Sequence, residues 1–277
     1  MSSAATALSA LGAQILQADL DDPVSLTHSL ASAHAVFLVT DFWSCPDPAG
    51  SREKQQAMRA LGILAQSPVL EHLILSSLPS IRDISGGKYT NVVHFDGKAE
   101  VVRWLEETYE GLWKKTTVLW VGSYMQLWKQ FPVAFGPEKT EEGVWRLRST
   151  FNEDTKLPLV DVSDTGKAVR GILEKSIKVM KKTVGLVGED NISVTEQLIL
   201  WGKSVGAEVD YIQISEQEDM ERAKQTTGFD EYLLRDLVEV KLAFRNYEGK
   251  LVHGEGIVQA KDVCVASHEP ELKTNKK

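Results

Sequence analysis

The sequence predicts an α/β protein built on a mostly parallel sheet, and three observations carry that prediction. Short apolar runs recur through the first half of the chain: AVFLVT at 35–40, HLILSS at 72–77 and TTVLWVG at 116–122. They are nearly continuous rather than alternating, the pattern of strands covered on both faces. Between them lie segments whose apolar residues recur three and four apart, as on one face of a helix. Strand and helix alternate, which is the order a parallel sheet with crossover helices requires.

Taken in order, residues 4–11 are rich in Ala and Leu and read as the last turns of a helix ending at Gly12. QILQAD, residues 14–19, has the composition of a strand. DDPVSLTHSL predicts a helix capped by Asp22, with Pro23 in the first turn, where its missing N–H costs nothing. The strand at 35–40 is expected to be buried on both faces, and a loop rich in Pro, Asp and Gly follows at 41–50. Met58, Leu61 and Ala65 mark one face of the next helix, which leads to the strand at 72–77. In VVHFDGKAEVV, residues 92–102, a polar and turn-prone group (His94, Asp96, Gly97, Lys98) precedes a helix carrying Val101, Val102, Leu105 and Tyr109. Asp96 is the expected cap of that helix and Gly111 its expected stop, so Lys98 falls in the first turn.

Beyond Ser123 the rhythm loosens. Trp128, Phe131, Phe135 and Trp145 mark an irregular, apolar region. A helix is expected over 162–173, started by Ser163 or Asp164, and a short strand over 184–187. Ser193-x-x-Glu196 and Ser215-x-x-Glu218 have the form of capping boxes, each opening a helix. Between them residues 209–214 alternate like a half-buried strand. The last helix spans about 231–247, with Leu233, Leu237, Val240 and Phe244 on one stripe, and KTNKK reads as a frayed tail.

Composition excludes several classes. A chain of 277 residues that is 43% hydrophobic can bury a large core. A net charge of −8 argues against direct nucleic-acid binding, which needs a basic face. No apolar run reaches the length of a membrane span, and no signal peptide opens the chain. Two cysteines, Cys45 and Cys264, are too few for a disulfide framework or a Cys-based metal site, and no metal site is expected. The cytosol, with or without entry into the nucleus, is the expected location.

The blocks GAQILQADLDD, AVFLVTDFW, HLILSS, HFDGKAEVVRWLEE, TTVLWVGSYMQ and VDVSDTGKAV together resemble the NmrA-like proteins, atypical relatives of the short-chain dehydrogenases. The resemblance covers roughly residues 7–247, and HFDGK and VDVSDTG are its most specific pieces. It implies a Rossmann-like NAD(P)-binding part over residues 1–125 and a smaller mixed α/β part over 126–277 that closes the cleft. The chain would return to the first part near 160–190. The family pattern also has an opening strand and a GxxGxxG loop that binds the cofactor pyrophosphate, and no such glycines precede Gly12. The expected fold therefore lacks its first strand–helix–strand unit. In a sheet of order 3-2-1-4-5-6 the two absent strands belong between residues 14–19 and 35–40. Either those two segments pair directly across the gap, or the N-terminal region packs poorly.

The resemblance also implies the site. Asp19 and Leu20 would flank the adenine, and Thr40, Asp41 and Phe42 would line the crevice at a strand's carboxyl end. Lys98 would hold the cofactor ribose, and Lys54 would reach phosphate or else be an ordinary surface lysine. Ser123, Tyr124, Met125 and Gln126 stand where the family places an aromatic–acid–Asn stretch on the nicotinamide side. His94 occupies the position of the superfamily's catalytic Tyr, four before Lys98. Either it is a loop histidine bonded locally, or in an enzyme His94 and Lys98 would form the acid/base pair. Ser76 and Ser77 stand where a catalytic Ser would be. Trp113, Trp120 and Trp128 are expected in the core. Cys45 is expected to be exposed, with Asp47 nearby disfavouring its thiolate.

Three functions follow as expectations. The first is a non-catalytic protein that binds NADP (or NAD), senses redox state or regulates transcription, and acts through a protein partner such as a transcription regulator. The second is an NAD(P)H-dependent oxidoreductase of quinone or secondary-metabolite type. In the third, the absent glycine loop leaves a product with no working cofactor site.

Overall fold

The computed structural model describes residues 2–188 and 192–263. Seven strands carry the architecture: β1 (Ala35–Leu38), β2 (His72–Ser77), β3 (Thr116–Val121), β4 (Trp145–Ser149), β5 (Thr183–Leu186), β6 (Val209–Gln213) and β7 (Val258–Gln259). Five of them form one sheet in the order β1-β2-β3-β5-β7, every neighbouring pair parallel. The other two, β4 and β6, pair in parallel in a second, mixed sheet whose outer strand, Glu138–Lys139, runs antiparallel to β4.

The main helices are α1 (Ser3–Ala10), α2 (Pro23–Leu30), α3 (Ser51–Ala65), α4 (Ile81–Ile84), α5 (Val93–Thr108), α6 (Thr165–Lys175), α7 (Val194–Val205), α8 (Glu216–Thr227) and α9 (Glu231–Tyr247). Asp22 caps α2 through Val24 and Ser25, with Pro23 in its first turn, as the sequence requires. Ser193 and Glu196 form the full capping box of α7, and Ser215 accepts from the Glu218 N–H at the start of α8.

Successive side chains along β2 point to opposite faces, and each face has its own helical cover. Leu73 and Leu75 pack with Leu38 and Val118 against Ala57, Leu61 and Leu64 of α3 and Val101 and Leu105 of α5. Ile74 packs on the opposite face with Leu119, Val184 and Leu186, under Ala168 and Ile172 of α6. The middle of the main sheet is thus covered on both sides, as its apolar runs predict. Trp113 is buried, while Trp120 and Trp128 pack partly buried against two different clusters. Among the described residues no helix is long and apolar enough to cross a membrane.

Three expectations fail locally. Residues 14–19 form no strand and are exposed throughout, so they do not pair with β1. A segment bonded to no neighbouring strand leaves its backbone groups to water. The chain is first anchored at Asp21, whose carboxylate accepts from Arg52, Gln56 and Arg59 of α3, and α1 buries no residue. Second, β1 is buried on one face only: Leu38 is covered, but Phe37 is 38% and Val39 52% exposed. Third, Asp96 does not cap α5. The helix begins at Val93, one turn earlier, so His94, Asp96 and Lys98 all lie on it. The Asp96 carboxylate turns instead to the start of α4, accepting from the Arg82 N–H and the Ser80 hydroxyl. The end of α5 is Thr108, before Gly111, which sits in the short helix Glu110–Trp113. Cys264 and the tail lie outside the described residues.

Candidate functional site

A candidate site lies at the carboxyl end of β1, between α3 and α5. Two helical spacings build it. Lys98 is one turn beyond His94 on α5, so both side chains leave the same face. Glu53 is in the first turn of α3, which starts at Gly50 in the left-handed region (φ +60). A side chain at position 50 would come within 2.9 Å of Val93 Cγ1, so glycine sets how closely the 41–50 loop meets the start of α5.

The Lys98 ammonium is already occupied. It donates to the Thr40 carbonyl (3.1 Å) and the Thr40 hydroxyl (3.0 Å) and pairs with Glu53 Oε1. The Thr40 hydroxyl in turn donates to the same Glu53 oxygen at 2.7 Å. Glu53 is buried and Lys98 partly buried, with 6% and 14% of their side chains exposed. An ammonium has three N–H groups, and here each has a protein acceptor. Around this group Lys54, Ala57, Leu75, Ser76, Gly97 and Val101 complete a cleft with room for little more than a water molecule. Lys54 lines the cleft but spends its charge on Glu100 at 2.8 Å. In this arrangement every N–H of the Lys98 ammonium is taken by Thr40 or Glu53.

His94 has a different partner. Its Nδ1 is paired with Asp236 Oδ1, and its backbone N–H donates to Asp236 Oδ2 at 3.1 Å. Asp236 belongs to α9 and is fully buried, so a carboxylate from the far part of the chain holds the imidazole. Among the described residues Nε2 takes part in no hydrogen bond, and the side chain is 13% exposed. The ring lies among Phe42, Trp43 and Phe95, with centroids at 6.1, 5.2 and 4.7 Å, and Trp43 stacks on Phe229 at 6.2 Å. Beside it Asn91 bonds Glu239, and Asn246 bonds the Tyr89 hydroxyl, so three polar pairs tie the approach to α5 to α9.

The remaining expected residues divide. Thr40 reaches the cleft, while Phe42 is buried beside His94. Asp41 is exposed and caps the short turn that follows by accepting from the Trp43 N–H at 3.0 Å. Ser76 lines the cleft, whereas Ser77 is buried with its hydroxyl on its neighbour's carbonyl. Asp19 and Leu20 are not in the cleft: Leu20 packs on the core cluster and its carbonyl accepts from Arg59 at 2.5 Å. Ser123, Tyr124, Met125 and Gln126 run alongside residues 159–161 instead. Ser123 and Tyr124 pair with Leu159 and Val160, and Gln126 bonds Asp161 at 2.8 Å. Cys45 is exposed and accepts from Arg52 Nη1 at 2.5 Å.

Glu53, Asp236, Trp43 and Phe229 are the residues the sequence did not suggest. One signal was present: Asp236 lies among the apolar residues of the LLRDLVEV run of α9, next to Leu237 of the apolar stripe, and an aspartate there has to find a partner or an exposed position. Glu53, in a run of charged residues, carries no such mark.

Solved structures similar to this chain share its architecture. Nmra, described as a negative transcriptional regulator and solved in complex with NAD, aligns with a TM-score of 0.64 at 18% identity, over 86% of this chain and 79% of its own. The NADPH-dependent quinone oxidoreductase QOR2 of Escherichia coli, complexed with NADPH, gives 0.67 at 20% identity, over 91% and 79%. A structure from the group of pinoresinol-lariciresinol and phenylcoumaran benzylic ether reductases gives 0.65 at 17%, over 93% and 79%. At such identities the likeness concerns the fold, which is that of Rossmann-type NAD(P)-binding proteins. The model of the NmrA-like family matches residues 1–272, nearly the whole chain, and the chain belongs to that family.

Proposed function

We propose that this chain is a non-catalytic NmrA-like protein that acts through a protein partner and meets NADP or NAD only when Glu53 lets go of Lys98. The observation that carries this reading is the saturated ammonium of Lys98, held by Thr40 and Glu53 in a cleft too small for a ribose. A nucleotide would have to exchange its hydroxyls for an ion pair that is mostly out of water, so occupancy reports on a competition and not on a preformed socket. The division at about residue 125 and a regulatory partner belong to the same proposal, supported by the regulator among the similar structures.

Calorimetric titration with NADPH and NADP tests it. Wild type is expected to bind at least about tenfold more weakly than Glu53→Gln, which keeps the side chain's shape but frees Lys98 from its counter-charge. NADPH oxidation with a panel of quinones is expected to stay at the background rate. Turnover that Lys98→Ala abolishes overturns the reading.

A second reading, an NAD(P)H-dependent reductase, is favoured by one observation: the buried Asp236 orients His94 and leaves Nε2 without a hydrogen bond among the described residues, the arrangement of a positioned general acid. Quinone-dependent turnover lost in His94→Gln and in Asp236→Asn supports that reading against the first.

A further inference from the structure

The amino ends of β3 and β5 lie side by side at the pole of the main sheet opposite the cleft. There the chain carries a run of uncompensated positive charge. Residues 175–182, KSIKVMKK, hold four lysines and neither an acidic residue nor an arginine. Among the described residues none of the four makes an ion pair. Two acids beside the run are already taken: Glu174 bonds Arg170 at 2.8 Å, and Glu110 bonds Lys114 at 2.7 Å. The bond from Lys114 first, and the charge of Lys181 at longer range, hold the Glu110 carboxyl below its ordinary 4.5, so Lys114 and Lys181 share the pole. The turn that presents the lysines is pinned. Val179 is buried in the core, the Lys181 N–H donates to the Thr116 carbonyl at 2.6 Å, and the Lys182 carbonyl accepts from the Val118 N–H at 3.0 Å. Lys181 is held in the left-handed region (φ 59), the one non-glycine residue found there among those described, although glycine would be less strained. From the same turn Ile177 projects into solvent, 88% exposed, the most exposed large apolar side chain among the described residues.

We propose that this pole docks on an anionic membrane surface, with Ile177 entering the bilayer interface and Lys175, Lys178, Lys181 and Lys182 lying over the head groups. The chain rests on the surface and does not cross it. Charge selects an anionic occupant, and two features select lipid over an acidic polypeptide. Lysine is depleted at protein–protein interfaces, and arginine is the residue whose planar fork matches a carboxylate, yet the run uses lysine alone. A protruding isoleucine among lysines suits a fluid interface, which takes up an apolar side chain without a matching pocket. The net charge of −8 does not oppose this docking. At physiological salt, charges farther than about 8 Å from the head groups are largely screened, so the local lysines decide. The cleft lies at the other end of the sheet, and the proposal stands independently of nucleotide binding.

Co-sedimentation of the full chain with phosphatidylcholine vesicles containing about 30% phosphatidylserine tests it. Partitioning is expected to be at least about tenfold weaker on phosphatidylcholine alone, and to fall when salt is raised from about 0.15 M to about 0.5 M. Lys181→Gly removes one charge while relieving the backbone, so its expected loss of about fivefold in partitioning cannot come from unfolding. Lys178→Glu combined with Lys182→Glu is expected to cost at least about twentyfold. Ile177→Ser should cost about threefold and leave the salt dependence unchanged. Circular dichroism and melting temperature identify any variant that merely misfolds. Absence of binding to the phosphatidylserine vesicles overturns the proposal, as does equal binding to phosphatidylcholine alone. So does vesicle binding that the folded lysine variants leave unchanged. Binding of labelled poly-glutamate that those variants abolish, with no binding to vesicles, also overturns it and makes the pole a site for an acidic segment of a protein.

Discussion

Two lysines paired away from bulk water, the partly buried Lys98 and the buried Lys241, show how little pairing alone says about function. Lys241 on α9 donates to both oxygens of Asp219 on α8, at 2.9 and 3.1 Å, and to the Ala134 carbonyl at 3.2 Å. Its side chain is 5% exposed and its ammonium lies 5.4 Å from the centre of the Phe135 ring. Lys98 has a similar inventory: one carboxylate, one carbonyl and one hydroxyl. The difference is position. Lys241 lines a small cleft beside the second sheet, with Leu147 and Ser149 of β4. Lys98 stands at the carboxyl end of β1, where open α/β sheets take their ligands. On the proposed reading the same saturation is a structural pin in the first place and holds a ligand site closed in the second.

That comparison can be broken or sharpened by substitution. The largest effect is expected from Lys241→Ala, which strands Asp219 as an unpaired buried charge and should cost about 3–5 kcal/mol in denaturant unfolding. Replacing both members, Lys241→Met with Asp219→Leu, should recover most of that loss, because the two apolar side chains leave no charge to solvate. Lys98→Ala should cost less, about 1–3 kcal/mol, since Glu53 still accepts from the Thr40 hydroxyl. If Lys98→Ala proves as costly as Lys241→Ala, the two lysines are alike and the closed-site reading fails.

Smaller effects come from buried groups with no full ion pair. Burial raises the Asp96 carboxyl above its ordinary 3.8, against the pull of the Arg82 N–H and the Ser80 hydroxyl. The fold therefore holds that proton to a higher pH than the unfolded chain does. Stability falls as pH rises from 3.8 through the raised value, and the penalty persists above it. Asp96→Asn should remove the penalty and stabilise the protein at neutral pH, with the gain vanishing near pH 3.8 or below. Burial lowers His72, whose Nε2 lies 2.8 Å from the Thr117 hydroxyl. The unfolded chain then takes up a proton first, so this contribution is complete above 6.5 and is lost as pH falls toward the lowered value. His72→Gln should flatten the unfolding free energy below pH 6.5 and leave it almost unchanged above.

Local chemistry explains which elements were legible in the sequence. Asp22 with Pro23, and Ser193 with Glu196, bond within one turn of chain, so their helices begin where the residues say. The middle strands β2 and β3 were readable because both faces are covered, which leaves continuous apolar runs, LIL and VLWV, at their centres. Residues 14–19 have the same kind of composition and still form no strand. A strand is made by its neighbour, and composition cannot report whether one is present. Asp96 misled for a related reason: an aspartate suited to capping α5 found better donors on α4, 14 residues away in sequence.

The family and the parallel sheet were legible in the sequence, because periodicity, caps and the HFDGK block are all local patterns, whereas Lys98 falls in the second turn of α5 and not the expected first. The sequence could not determine what Lys98 and His94 touch. Glu53 is 45 residues from Lys98, and Asp236 is 142 from His94, and both are brought in by helices packing across the sheet and against α5. Both contacts come from tertiary packing, since each depends on which distant group fills a hydrogen-bonding position.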